Sequence, residues 1–104
     1  MAFYSENYGF FSPTIKITTQ TDINNGFISF LINANSTDEL KQLTVSVYIH
    51  GEKIQEVHYD LNNGNKASVS YYYFTGNTKN KEITFIFTVK DSQATRKIIR
   101  EIYL

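Results

Sequence analysis

Residues 83–89, Ile-Thr-Phe-Ile-Phe-Thr-Val, set Ile83, Phe85, Phe87 and Val89 in strict alternation with Thr84, Ile86 and Thr88. Side chains along a strand point to opposite faces in turn, so a period of two predicts a strand with one face in an apolar core. One such strand cannot hide that face alone, and the rest of the chain offers partners. Residues 14–20 align Ile15 with Ile17, 27–33 align Ile28, Phe30 and Ile32, and 43–50 align Leu43, Val45, Val47 and Ile49. Residues 66–74 place Val69, Tyr71 and Tyr73 on one face, with Tyr72 and Phe74 on the other. In 53–61, Val57, Tyr59 and Leu61 are in phase and Ile54 is not, which predicts a bulge near Gln55 or Glu56. The last run, 94–104, follows the turn-type residues Asp91-Ser92-Gln93-Ala94 and is apolar on both faces. Ile98 and Ile102 share one face with Arg96 and Arg100, while Ile99 and Tyr103 share the other with Lys97 and Glu101.

Turn chemistry separates these runs. Asn25-Gly26 is a strong hairpin signal, and Gly51-Glu52 is read as a glycine-first loop that would pair His50 with Lys53. Asn62-Asn63-Gly64-Asn65 and the polar stretch 75–80 mark two more. No segment has the length and period of an amphipathic helix, although Ser36-Thr37-Asp38-Glu39 has the residues to cap a single helical turn. Eight tyrosines and eight phenylalanines fit strands better than helices. Together these readings predict an all-β chain, a seven-stranded antiparallel immunoglobulin-like β-sandwich. Its 104 residues suffice for one core without covalent staples. Residues 14–104 are assigned to the sandwich. Residues 1–13, with Phe3, Tyr4, Tyr8, Phe10 and Phe11, form an aromatic-rich N-terminal segment. That segment either covers one end of the sandwich, adds an irregular first strand, or presents an aromatic contact surface.

The chemistry of the chain is sparse. Without cysteine there is neither a thiolate nucleophile nor a cysteine zinc site, and the redox compartment stays open. Ten basic residues balance ten acidic ones, which gives no reason to expect nucleic acid as a partner. No apolar run approaches the ~20 residues of a membrane helix, so no membrane insertion is expected. The first residues lack a basic and apolar leader, so no signal sequence is visible. His50 and His58 fall too far apart along their strand to share a metal. Asp38 and Glu39 with Asp91 or Asp22 supply too few oxygens for calcium, and Asp91 reads instead as a turn former bonding the amides that follow it. There is no Gly-x-Ser-x-Gly and no phosphate-cradling glycine loop, and neither histidine has an evident serine and acid beside it. No catalytic residue, metal or cofactor is therefore predicted.

What remains is a binding surface. Tyr71-Tyr72-Tyr73-Phe74 must turn two rings away from any single core face. Those rings either cover a neighbouring strand or, with Tyr48 or Tyr59, form a platform for sugar rings. Arg96 and Arg100, with Lys97 and nearby Lys90, are the only concentration of basic residues and make the final strand an edge guarded by charge. The candidate surface is thus Tyr48, Tyr72, Phe74, Arg96 and Arg100.

The ending Thr88-Val89-Lys90-Asp91, a small polar turn, then Thr95-Arg96-Lys97-Ile98, resembles the last two strands of bacterial immunoglobulin-like domains of the PKD-like and Big types. The segment Leu43-Thr44-Val45-Ser46-Val47 followed by Gly51-Glu52-Lys53-Ile54 is similar to their central hairpin. The chain departs from them in having Gln93-Ala94 where a glycine usually follows the Asp turn. The resemblance implies a non-enzymatic structural or adhesive module of a secreted or cell-surface bacterial protein. Its partner would be another protein or a neighbouring domain, with a carbohydrate-binding module as the alternative.

Overall fold

The computed structural model describes residues 15–104 and, for backbone alone, Ala2–Asn7. It contains eight strands: β1 (Ala2–Asn7), β2 (Lys16–Asn24), β3 (Phe27–Asn35), β4 (Leu40–Ile49), β5 (Glu52–Asp60), β6 (Lys66–Phe74), β7 (Glu82–Asp91) and β8 (Thr95–Tyr103). β2 to β8 are the seven strands read from the alternation. They form two antiparallel sheets, ordered β1-β8-β7-β4-β5 and β2-β3-β6. The chain changes sheet between β1 and β2, β3 and β4, β5 and β6, and β6 and β7; from β2 onward this is the Greek-key connectivity of an immunoglobulin-like sandwich.

β1 pairs outside β8, from Ala2 opposite Glu101 to Asn7 opposite Arg96. The final strand is therefore not an edge among the described strands, and the reading of its charges as edge guards is corrected by this added ladder. The side chains of Phe3 and Tyr4, and everything about Tyr8, Phe10 and Phe11, lie outside the described residues.

The core forms where the central strands of the two sheets face each other. Phe30 of β3 is 1% exposed and lies against Phe85 and Phe87 of β7, with ring centroids 4.7 Å and 5.0 Å away in tilted and edge-on geometry. Edge-to-face packing sets the positive ring edge on a neighbour's negative face, a gain beyond area burial. Ile28 and Ile32 extend this layer on β3, Val45 and Val47 on β4, and Ile83 and Val89 on β7, all fully buried. Tyr71 also stacks toward Phe30, at 6.5 Å, and its hydroxyl donates to the Gln55 side chain of β5 across the gap between the sheets.

The opposite flank is closed by arginine. Register places Arg96 opposite Val89 and Arg100 opposite Phe85, on the same inward face as buried Ile98 and Ile102. Arg96 Nη1 donates to the Ile15 carbonyl at 2.8 Å, and Arg100 Nε to Thr19 Oγ1 at 3.0 Å, tying β8 to β2. Their aliphatic stems add to the core margin while the heads bond at the flank. The β7–β8 register runs unbroken from Glu82–Tyr103 to Lys90–Thr95, so the two-faced pattern of the last run needs no bulge.

Two local readings shift. Ile49 pairs with Glu52, so the β4–β5 loop is His50-Gly51, with φ of 53° and 77°. Both central residues of a type I′ turn need positive φ, and that geometry displaces the expected Gly51-Glu52 loop by one residue. The bulge expected near Gln55 or Glu56 falls on Ile54: Val47 pairs with Gln55, the next residue Tyr48 with Lys53, and Ile54 is skipped.

Residues 36–39 form no helical turn; Ser36 has a different task. Its hydroxyl donates to Asp91 Oδ2 at 2.7 Å and accepts from the Asp38 amide at 3.1 Å. Asp91 Oδ1 accepts from the amides of Gln93 and Ala94 at 2.7 Å and 2.6 Å, as expected of a turn former. Burial alone would raise the Asp91 carboxyl, but the bonds from Ser36, Gln93 and Ala94 outweigh it and hold it below its ordinary value. A carboxyl lowered by folding contributes stability above its unfolded value and loses it as pH falls through the folded one. Asp91→Asn should therefore cost about 1–3 kcal/mol at neutral pH. The deficit relative to the parent should shrink once the pH drops below the ordinary carboxylate range, as read from urea midpoints across a pH series.

Candidate functional site

Alternation in β2, β3 and β6 leaves one face of the three-stranded sheet turned away from the core. The registers align its side chains in rows across the strands: Asn24–Phe27–Phe74, Asp22–Ser29–Tyr72, Gln20–Leu31–Ser70, Thr18–Asn33–Ser68 and Lys16–Asn35–Lys66. The first two rows hold the aromatic side chains. Phe74 is 85% exposed and Tyr72 64%, against 3% for Tyr71 on the opposite face of the same strand. Phe27 meets Tyr72 edge-on at 6.3 Å and steadies that ring without covering it. Tyr72 and Phe74, two residues apart on one face, stand about 7 Å apart along the strand. Polar groups border the rings: the Asn24 amide donates to Asp22 Oδ2 at 3.0 Å, and the Ser29 hydroxyl donates to the Asp22 carbonyl. Flat rings with amides, hydroxyls and a carboxylate beside them can stack against an apolar ligand face and hydrogen-bond its rim.

The candidate residues from the sequence do not form one surface. Tyr72 and Phe74 come together here, joined by Phe27, which the sequence had not singled out because its place beside them depends on β3 pairing with β6. Tyr48 lies on the outer face of the other sheet, opposite Lys53 and Thr84, on the far side of the sandwich. Tyr59 is half-buried against the core, where burial pushes its phenol up. Arg96 and Arg100 are partly buried between the sheets, since the face they share with Ile98 and Ile102 is the inner one.

A second group sits on the outer face of β4 and β5. His58 Nδ1 is 3.0 Å from Thr44 Oγ1 and His58 Nε2 is 3.2 Å from Glu56 Oε2. Glu56 Oε1 also accepts from Lys53 at 2.9 Å and from Ser46 at 3.4 Å. Lys53 holds the Glu56 carboxyl below its ordinary value, first through the hydrogen bond and then through its charge. The linear order hydroxyl–imidazole–carboxylate, missed in the sequence because it spans two strands, matches the order in a catalytic triad. Here it lies on an open sheet face with about half of the His58 side chain exposed, so water screens it and competes for every bond. Among the described residues no three of His, Asp and Glu gather to hold a metal ion. Asp91, one of the oxygens considered for calcium, is buried and engaged with Ser36. No helix of the described residues is long and apolar enough to cross a membrane.

No family model matches the sequence, and no curated protein sequence does. The fold is similar to the crystal structure of a carbohydrate-binding module family 56 β-1,3-glucan binding domain, with a TM-score of 0.55 over 84% of this chain and 98% of that one. At 17% identity the likeness is one of fold, an all-β sandwich.

The exposed rings should contribute little to folding. Phe74→Ala should change unfolding free energy by no more than about 0.5 kcal/mol. Tyr71→Ala, which empties a buried site on the opposite face of the same strand, should cost about 3–5 kcal/mol. Chemical denaturation of the two variants checks the contrast.

Proposed function

We propose that this domain is a non-catalytic carbohydrate-binding module that holds a glycan against the outer face of β2, β3 and β6. One observation carries the reading: Phe74 and Tyr72 are large, solvent-exposed, adjacent on a flat sheet face, and dispensable to the core. The axial C–H groups of a pyranose ring make an apolar patch that suits the negative face of an aromatic ring, and its equatorial hydroxyls suit the amides and carboxylate alongside. The sandwich likeness to a β-1,3-glucan binding domain supports the same reading and names a first ligand to try. An exported or cell-surface bacterial setting goes with this proposal, as the resemblance to bacterial immunoglobulin-like modules implies. There the domain would attach or space its neighbours through the glycan it holds.

Affinity electrophoresis in gels containing soluble β-1,3-glucan, with β-1,4-glucan and xylan gels beside them, tests the proposal. Retardation is expected in at least one gel, and Tyr72→Ala and Phe74→Ala should each weaken it roughly tenfold, the loss expected for uncovering one stacked ring. Mobility unchanged in every gel, together with a blank array of plant, host and bacterial glycans, would overturn it.

A further inference from the structure

The same sheet face changes character along its length. At the far end from the rings, Lys16 of β2 and Lys66 of β6 flank Asn35 of β3 in one row. Thr18, Asn33 and Ser68 form the next row inward, and a depression of about 540 Å³ opens over the two rows. Both lysines are exposed, and neither meets a carboxylate among the described residues. Two other lysines do have such partners: Lys53 pairs with Glu56 at 2.9 Å and Lys41 with Glu39 at 3.2 Å. The one carboxylate on this face, Asp22, lies in the Tyr72 row and is engaged by Asn24. A face that is aromatic and weakly acidic at one end therefore carries, at the other, two lysines that no carboxylate of the described residues meets. From the Tyr72 row to the Lys16 row is six residues of β3, about 20 Å at ~3.4 Å per residue, enough for several sugar rings in one extended chain.

We propose that the bound glycan is acidic, with a sugar stacked on Tyr72 and Phe74 and a carboxylate of the same chain held between Lys16 and Lys66. This rests on the reading of the face as a glycan platform and adds the ligand class. The row geometry suits it: two flexible ammonium groups, one on each side of the Asn35 amide, converge on an anion lying over β3, and charge-assisted bonds are stronger than neutral ones. The mixed-sign outer face of β4 and β5 offers no such end.

The test uses one polymer in two forms, a soluble β-1,3-glucan and the same glucan with part of its primary alcohols oxidised to carboxylates, titrated calorimetrically at low salt. The oxidised form should bind about three- to tenfold tighter, the yield of two exposed charge pairs. That advantage should vanish in high salt and in the Lys16→Gln/Lys66→Gln double variant, which should keep the parental affinity for the neutral form. Tyr72→Ala should weaken both forms alike. Equal affinity for the two polymers, or an advantage that survives in the double variant, overturns the acidic-ligand inference and leaves the glycan platform standing. If neither form binds, and a uronic-acid polymer does not bind either, both readings fall together. Far-UV circular dichroism and a denaturation midpoint confirm that the double variant is folded.

Discussion

Phe30 packed against Phe85 and Phe87 is the contact on which the rest of the molecule depends. It joins the middle strand of the three-stranded sheet to the middle strand of the five-stranded one, and rings from both sheets share the space. Once that contact is made, the pleat dictates everything along β3 and β7. Every second residue from Phe30 enters the core, and every residue between leaves it. A one-residue slip would bury Leu31 and Ser29 and expose Phe30, so hydrophobic burial holds the register firmly.

The exposed ring face of β2, β3 and β6 is a by-product of the same rule. Tyr71 is drawn inward to stack toward Phe30 and to donate to Gln55, with burial pushing its phenol well up from the ordinary value. Its neighbours Tyr72 and Phe74 are then obliged to point outward. Most exposed large rings on a monomer are single and need no account. Phe27, Tyr72 and Phe74 instead cluster on one sheet face with polar rows beside them, and that clustering is what motivates the proposed glycan platform.

Three polar ties hold the sheets together around the core. Tyr71 with Gln55 closes one flank, and Arg96 and Arg100 with Ile15 and Thr19 close the other. Ser36 with Asp91 links the β3–β4 connection to the β7–β8 hairpin at one pole, and the Ser92 amide bonds the Glu39 carbonyl beside it. The second and third ties spend polar side chains of the bare chain: two arginines, an aspartate and a serine. Buried donors and acceptors left unpaired are costly, so these groups are committed to structure.

By itself the sequence determined the class of fold. The alternation in β2 to β8 and the turn residues between them encode strands, faces and hairpins, because those depend on nearest neighbours. It also determined that Asp91 would bond the amides just after it, and that Tyr72 and Phe74 would share a face. Only the tertiary structure decided which face of the last strand looks inward and which strands lie side by side. Ile98 and Ile102 could not say whether Arg96 and Arg100 would meet solvent or β2, since that depends on β1 pairing outside β8 and on β2 lying across the flank. Nor could local pattern place Tyr48 on the far side of the sandwich from Tyr72, or bring Lys16, Asn35 and Lys66 into one row. Those relations come from pairings between residues far apart in the chain, set by how two twisted sheets bury their apolar faces together.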